Sequence, residues 1–378
     1  MNENIFYEYE KITNSKVVEY IQENKRLHKY FKEEWSEIKP LQYCGILNIE
    51  GEDIYILPKI SSREEKRNLD IFIYMLMFAY DIKVEHEDIA QTKNKQSRLL
   101  EILVNLFAKQ LFRELQKGLY KTYITEQENL TTLRGKYLIN ENLKYNFNRS
   151  KIYCEYDEFS EDNELNQFFL FAIKTLLPCV KNKKFLRECE LVLYDVSDKQ
   201  FDINKFHIHF DRINHRFKQS YEHALLLLRK MIPMFTQEKK SFAFLFDMNE
   251  LFENFIAKIY QNIDDTTQIQ LQKNYGSLVL KPDIITSQMI IDTKYKKIQS
   301  REDLSVADKY QMFVYGTNFK IKKAMLLYPK HLKNIAEDLE LGKNDTMVEL
   351  KMRSIDLDFD GGYEDFIFEI KRRVEVLG

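Results

Sequence analysis

The segment from Lys281 to Ile298, KPDIITSQMIIDTKYKKI, constrains the fold most, because charged residues interrupt two apolar runs of strand length. Asp283 ends the first run, and Asp292 and Lys294 lie two residues apart in the second. Side chains two apart on a strand leave the same face, and ITSQM can turn to bring Asp283 beside Asp292. A hairpin with solvent-facing charges is the plain alternative. Strands that are apolar on both faces are buried, and buried charges need a functional reason, so burial favours the first interpretation. The apolar residues of the two runs are Val279, Leu280, Ile284, Ile285, Ile290 and Ile291.

The surrounding pattern predicts a mixed sheet flanked by helices. From Phe242 it runs helix (DMNELFENFIAKIY), strand (SLVLKPDII), strand (QMIIDTKYKKI), helix (SVADKYQMFVYG) and strand (KAMLLYP). An α-β-β-α-β order is typical of an α/β domain. We therefore predict a catalytic core over residues 242–330, within a second domain that spans residues 156–378.

The first 155 residues are predicted to form a separate α+β domain. Two alternating runs, Ile46–Glu50 and Ile54–Leu57, flank a turn and predict a β-hairpin. Helical patterns follow over residues 68–80 and 97–115, and a strand-like region covers residues 122–156. The second domain then opens with a helical segment over residues 160–235, whose first helix is predicted to begin at Ser160 and to end at Pro178.

Two carboxylates at close range on apolar strands repel each other unless a cation lies between them. Asp283 and Asp292 are therefore candidate ligands of Mg²⁺, with Mn²⁺ as a substitute, because Mg²⁺ takes oxygen ligands and leaves room for water and phosphate. Lys294 would orient the attacking water or help to deprotonate it. The metal would lower the pKa of that water.

The two flanking helices offer further candidates. Asp247 and Glu250 fit a capping box, which gives Glu250 a structural role. Glu253 borders the apolar stripe of the same helix and is either a third metal ligand or an ordinary boundary residue. Gln311 and Tyr315 are four residues apart on one helix face, where they either support the site or share a surface hydrogen bond.

These blocks together resemble a known family. PD-x8-DTK, preceded by an acidic helix and followed by Q-x-x-x-Y, is similar to the PD-(D/E)XK nuclease superfamily. MNELFENF, LRGKYLINENL, CEYDEFSEDNELNQ and GILNIEGEDIYILPKI extend the similarity to the McrC family, the nuclease subunits of McrBC 5-methylcytosine restriction systems. The resemblance implies metal ligands at Asp283, Asp292 and Glu253, and a catalytic lysine at Lys294. Residues 187–240 match no block of that family.

The resemblance also implies a division of labour. It implies an McrB-like AAA+ GTPase as partner, docked and stimulated by residues 1–155, and modified double-stranded DNA as substrate. The chain has no G-x-x-x-x-G-K-[ST] motif, so we expect it to bind no nucleotide. Its formal net charge of −2 predicts weak DNA binding by the chain alone, through the nearby Lys296, Lys297 and Arg301. One site cuts one strand, so a double-strand break would need two copies.

Two other functions fit the residues. One is a nuclease of the same superfamily that acts in repair or recombination without a GTPase partner. The other is a non-catalytic subunit that activates a GTPase, which the intact Asp283, Asp292 and Lys294 disfavour. The four cysteines form no C-x-x-C pair, and neither a signal peptide nor a membrane-spanning run is visible. We therefore expect a cytoplasmic protein with reduced thiols.

Overall fold

The computed structural model describes residues 4–34, 37–60, 65–82, 99–147, 150–235, 240–298, 300–330 and 334–377. Ser97, where one helix was predicted to begin, lies outside them. Among the helices in these ranges, none combines the length and the apolar character needed to cross a membrane.

Eighteen strands lie within the described residues. They are β1 Ile5–Tyr7, β2 Phe31–Glu34, β3 Glu37–Pro40, β4 Tyr43–Ile49, β5 Glu52–Leu57, β6 Thr122–Leu130, β7 Lys136–Tyr137, β8 Ile152–Ser160, β9 Met231–Phe235, β10 Lys240–Asp247, β11 Gln268–Ile269, β12 Lys273–Tyr275, β13 Leu278–Leu280, β14 Ile284–Ile285, β15 Ile290–Thr293, β16 Lys323–Pro329, β17 Ala336–Leu341 and β18 Val348–Ile355. The described α-helices are α1 Ser15–Glu23, α2 Glu65–Ala79, α3 Leu99–Gln116, α4 Ile139–Tyr145, α5 Glu164–Leu176, α6 Lys184–Val192, α7 Lys218–Lys230, α8 Met248–Ile263, α9 Val306–Phe319 and α10 Tyr363–Leu377.

The chain divides into two compact units. Unit 1 combines Met1–Leu99 with Lys230–Gly378, and unit 2 is Leu100–Arg229. The boundary predicted after residue 155 falls inside β8, which pairs with β6 over its whole length, from Ser160 opposite Thr122 to Ile152 opposite Leu130. A break there would separate a strand from the partner that satisfies its backbone hydrogen bonds, so the compact units divide the chain elsewhere.

Unit 1 contains a five-stranded sheet in the order β1-β5-β4-β10-β9. The predicted hairpin is confirmed, because β4 and β5 pair antiparallel. Strand β10 pairs with β4 from a point far along the chain, and the two backbones meet closely at Gly45. A Cβ atom there would lie 2.0 Å from the carbonyl oxygen of Phe244, so only glycine fits.

The second sheet of unit 1 has the order β11-β14-β15-β16-β18-β17, with β15, β16 and β18 parallel. Helix α9 follows β15 and precedes β16, so the predicted α-β-β-α-β order is present. The run SLVLKPDII, however, is not one buried strand. It breaks at Pro282, which has no N–H for a sheet ladder. Strand β13 pairs with β12 instead, and Leu278 and Val279 are 51% and 61% exposed.

Unit 2 contains a three-stranded sheet, β6-β8-β7, and the helices α3 to α7 up to Arg229. Helix α5 begins at Glu164 rather than at the predicted Ser160, because Ser160 is the last residue of β8. The side chain of Asn163 caps α5 by accepting from the backbone N–H of Asn166. Leu177 and Pro178 end the helix in a short 3-10 turn, close to its predicted end.

Candidate active site

Asp292 lies near the end of β15, where all four residues are buried. Its side chain is 2% exposed. Parallel pairing with β16 continues just past the strand, because the Lys294 N–H donates to the carbonyl of Leu327 at 2.9 Å. This pairing places Asp292 and Lys294 at the carboxyl end of β15, an interior strand of the sheet.

A chain of polar contacts runs from Asp292 to α9. The Lys294 ammonium lies 2.6 Å from Oδ2 of Asp292 and donates to Oε1 of Gln311 at 3.2 Å. Gln311 Nε2 contacts the Tyr315 hydroxyl at 3.1 Å, and that hydroxyl donates to the carbonyl of Lys281 at 3.1 Å. Gln311 therefore accepts from the lysine, and Tyr315 positions Gln311 through their shared hydrogen bond.

Asp283 is brought back to β15 by the turn between β14 and β15. Within that turn the Thr286 N–H donates to the carbonyl of Met289 at 2.9 Å. Oδ2 of Asp283 accepts from the backbone N–H and the hydroxyl of Thr293, at 2.7 and 2.9 Å. Thr293 thus fixes the carboxylate beside Asp292 and Lys294.

Glu253 lies on α8 and is half-buried. Its Oε1 accepts from Gln270 Nε2 at 2.6 Å, and the Gln270 N–H donates to the carbonyl of Asp283 at 2.8 Å. Burial raises the pKa of Glu253, and the charge of Asp283 raises it further. Of the two possibilities for Glu253, a place in the acidic site therefore fits better than an ordinary boundary position.

Glu250 does not complete the predicted capping box. Asp247 does cap α8, but it accepts from the backbone N–H of Asn249. The Glu250 carboxylate instead forms a 2.7 Å ion pair with Lys230. Glu250 therefore contacts a neighbouring cation, whereas Glu253 contacts Gln270.

Burial and mutual repulsion control the charges of the site. Burial raises the pKa of Asp283, and burial together with the Asp283 charge raises that of Asp292 to about 7. Burial alone would lower the pKa of Lys294, but the charges of Asp292 and Asp283 raise it above its ordinary value. Lys294 is therefore an ammonium at neutral pH, suited to donate rather than to accept a proton.

The predicted DNA-contacting residues differ in their surroundings. Lys296 forms a short ion pair with the buried Asp308, whose backbone N–H donates to the hydroxyl of Ser305. Lys297 and Arg301 are exposed, and Arg301 begins a 3-10 turn that ends at Asp303. Two of the three predicted basic contacts thus remain open to solvent.

The donor set fits one Mg²⁺ at the acidic pair. Oδ2 of Asp292 is buried and has no well-directed hydrogen bond from the described residues, although the Lys294 ammonium lies close to it. A buried carboxylate oxygen without a well-directed donor is available to bind a cation. The described residues contain no ready group of three His, Cys, Asp or Glu ligands, so water and phosphate oxygens would complete the shell.

Several residues of the site were not predicted. Thr293 lies between the two charged residues of the DTK motif, Asp292 and Lys294. Gln270 and Lys281 belong to no recognisable sequence pattern. Asp308 was named only within the predicted helix SVADKYQMFVYG. Thr293 could have been found by asking which neighbouring group satisfies Asp283, since buried carboxylates need donors. Gln270 could not, because its contact depends on the placement of α8.

A mixed sheet with flanking helices and an acidic pair beside a lysine defines the general class of this protein as an α/β protein with a candidate hydrolytic site. A family model for the McrBC 5-methylcytosine restriction system component matches residues 38–329. The chain belongs to that family. No curated protein matches the chain.

Two solved structures are similar to the chain. One is a chain of the half-complex from a tetradecameric assembly of Thermococcus gammatolerans McrB AAA+ hexamers with bound McrC. It is 21% identical, with a TM-score of 0.64 over 99% of each chain. The other, from the Thermococcus gammatolerans McrBC complex, is 26% identical, with a TM-score of 0.51. That match covers 68% of this chain and 86% of the other.

Proposed function

We propose that this chain is the endonuclease subunit of an McrBC-like restriction system and that it hydrolyses DNA phosphodiester bonds with Mg²⁺. The observation that carries the proposal is the chain of polar contacts at the carboxyl end of β15, which joins Asp292, Lys294, Gln311 and Tyr315. A structural ion pair would not need a buried carboxylate held beside a second one. The family match and the partner named for the similar structures support the same conclusion.

Asp283 and Asp292 would hold the metal. Glu253 lies close enough for the charge of Asp283 to raise its pKa. When bound, Mg²⁺ would supply Lewis acidity for the phosphate and lower the pKa of the attacking water. Lys294 would donate to that water or to the phosphate, with Gln311 fixing its ammonium. Thr293 would keep the Asp283 carboxylate in place. Asp292 and Thr293 lie on β15, Glu253 on α8 and Gln311 on α9, which limits their movement.

An AAA+ GTPase would supply the motor and most of the DNA affinity. The similar Thermococcus gammatolerans structure contains McrB AAA+ hexamers with bound McrC. The formal net charge of −2 fits a chain that relies on a partner for DNA binding. Docking through residues 1–155 stays a prediction, as does the need for two copies in a double-strand break.

The test uses Lys294→Met with Lys296→Met as matched control. The assembled complex is given a linear duplex carrying 5-methylcytosine, with Mg²⁺. Lys294→Met should lose ~10²-fold or more in cleavage rate, the scale of one removed electrostatic group. Lys296→Met, which loses the ion pair with Asp308 and one predicted DNA contact, should lose far less. Equal losses in the two variants would contradict the role given to Lys294.

A further inference from the structure

The hairpin of β12 and β13 is built differently from the rest of the sheet region. It forms its own two-stranded sheet, from Lys273 paired with Leu280 to Tyr275 paired with Leu278. Gly276, at φ 63°, begins the tight turn between the strands. Next to the turn, the ring of Tyr275 packs edge-on against Phe319 at 5.4 Å.

The outer part of this hairpin leaves apolar side chains in solvent. Leu278 and Val279 are 51% and 61% exposed, whereas the next residue, Leu280, is 7% exposed. Two adjacent exposed aliphatic residues in a strand offer a small apolar surface to a partner. A covering partner would bury both.

The charge of the segment indicates what that partner is. Residues 266–282 contain no acidic residue and carry Lys273 and Lys281, in a chain whose formal net charge is −2. Lys273 lies over the ring of Phe319, while Lys281 is exposed and forms no ion pair with the described carboxylates. A positive, apolar surface beside the proposed phosphodiester-cleaving site suits a polyanion with a groove.

The ends of the hairpin are joined to the acidic site. Gln270, three residues before β12, donates to Glu253, and Asp283 follows two residues after Lys281. The Lys281 carbonyl accepts from Tyr315, and its ammonium lowers the pKa values of both Asp283 and Glu253, though less than burial raises them. A DNA strand with its phosphate at Asp283 and Asp292 must therefore pass close to this hairpin.

We propose that the hairpin Lys273–Leu280, together with Lys281, is a DNA-contacting arm of the site, with Leu278 and Val279 entering the groove beside the scissile phosphate. The proposal rests on the proposed nuclease function. Aliphatic side chains are used in this way by proteins that bind the minor groove. Lys281 contacts the backbone, which contributes affinity without reading sequence.

The first experiment compares the double variant Leu278→Ser/Val279→Ser with Phe368→Ser/Val376→Ser, whose positions on α10 are also exposed. Both are assembled with the AAA+ partner and given a 5-methylcytosine duplex with Mg²⁺. The hairpin variant should raise KM for the duplex roughly tenfold or more, as expected when two aliphatic side chains lose partial burial. Its kcat and the GTPase rate should stay within about twofold, and the α10 variant should resemble wild type.

The second experiment needs no cleavage. The same complexes are titrated with labelled duplex in Ca²⁺, and Lys281→Gln should flatten the dependence of log Kd on log salt by about 0.9, the value for one phosphate contact. Unchanged DNA affinity in all hairpin variants would overturn the arm. A fall in GTPase stimulation with unchanged DNA affinity would assign the surface to the partner instead, and a change in oligomeric state alone would assign it to a second copy.

Failure of the nuclease proposal is separable from failure of the arm. Asp292→Asn is assayed in parallel. Full cleavage by that variant would contradict the proposed acidic site but would not affect the DNA-binding result obtained in Ca²⁺. Loss of cleavage in Asp292→Asn, combined with wild-type KM and salt dependence in the hairpin variants, would remove only the arm.

Discussion

The two compact units bury different kinds of polar side chain. Among the described residues of unit 1, the carboxylates of Glu8, Asp292 and Asp308 are all less than 10% exposed. The buried polar side chains of unit 2 are Asn163, Asn166, Asn214, Ser220 and His223, none of them a carboxylate. Unit 1 therefore bears an electrostatic cost at its site, while no carboxylate-bearing residue described in unit 2 is buried to the same extent. Removing charge should consequently have opposite effects on the two units.

The largest effect should come from Asp292→Asn. Cleavage should fall by ~10³-fold or more, because the variant loses charge where the phosphate reacts. The free energy of unfolding should stay level or rise, because repulsion with Asp283 is relieved. Thermal melts and cleavage rates measure the two outcomes separately. Destabilisation of more than about 1 kcal/mol would assign Asp292 a structural role instead.

The matched change in unit 2 is Asp162→Asn. Asp162 accepts from the N–H and hydroxyl of Ser197 and from Gln167, and these bonds hold its pKa below the ordinary value although burial raises it. Losing charge-assisted bonds should cost about 1–3 kcal/mol of unfolding free energy. Cleavage should not change. An unaltered melting temperature would remove the contrast between the units.

His223 should make unit 2 sensitive to acid. Its ring is buried, has no hydrogen-bond partner among the described residues and packs edge-on against Phe107 at 5.9 Å. Burial lowers its pKa to about 3 from 6.5, so the neutral ring is favoured on folding. Stability from this group is complete above pH 6.5 and is lost as pH falls towards 3, by ~1.4 kcal/mol per unit at most.

Native-state hydrogen exchange at pH 7 and pH 5, followed in residues 100–229, measures that loss. It should reach about 2 kcal/mol at pH 5. His223→Leu should abolish the dependence, and it keeps a buried side chain of similar size on α7. A variant that retains the acid sensitivity would show that another group causes it.

Glu8 should give unit 1 the opposite response. It is 3% exposed, and Oε1 accepts from the Tyr295 hydroxyl at 2.6 Å and from the Lys59 N–H at 3.1 Å. Burial raises its pKa from 4.5 to about 7, although both hydrogen bonds lower it. Folding therefore favours the protonated form, and the stability from this group is complete below pH 4.5 and lost as pH rises through 7, by roughly 3–3.5 kcal/mol in total.

Glu8→Gln keeps an oxygen that accepts from the same donors but removes the charge. At pH 8 the variant should resist unfolding better than wild type, and at pH 5 the difference should shrink. Hydrogen exchange of the backbone amides in residues 37–60, which include the Lys59 N–H bonded to Glu8, measures this change in stability. A variant less stable than wild type at pH 8 would mean that the ionised carboxylate is favoured in the fold.

The smallest effect separates Glu253 from Glu250 on the same helix. Glu253→Gln should slow cleavage by about tenfold, the lower end for a group that tunes a metal site. Glu250→Gln should leave cleavage unchanged and cost at most about 1 kcal/mol, because its ion pair with Lys230 is exposed on the Glu250 side. Equal slowing by both variants would place the wrong face of α8 at the site.

Local periodicity was enough to predict much of the candidate site. The two-residue spacing of Asp292 and Lys294, the turn after Asp283 and the helix that carries Gln311 and Tyr315 follow from rules that act over a few residues. The same rules failed for SLVLKPDII, where Pro282 separates β13 from β14 and leaves Leu278 and Val279 exposed. Apolar character alone did not distinguish a buried strand from an exposed arm.

The amino-acid sequence by itself determined the order of the elements and the chemical groups available to the site. Tertiary structure decided which distant segments meet. Strand β10 lies against β4, and the Glu50 N–H donates to the Ser241 hydroxyl across 191 residues; Glu8 meets Tyr295 across 287 residues. Helical and strand periods describe only neighbours along the chain, whereas these pairings are chosen by the burial and hydrogen bonding of the whole sheet.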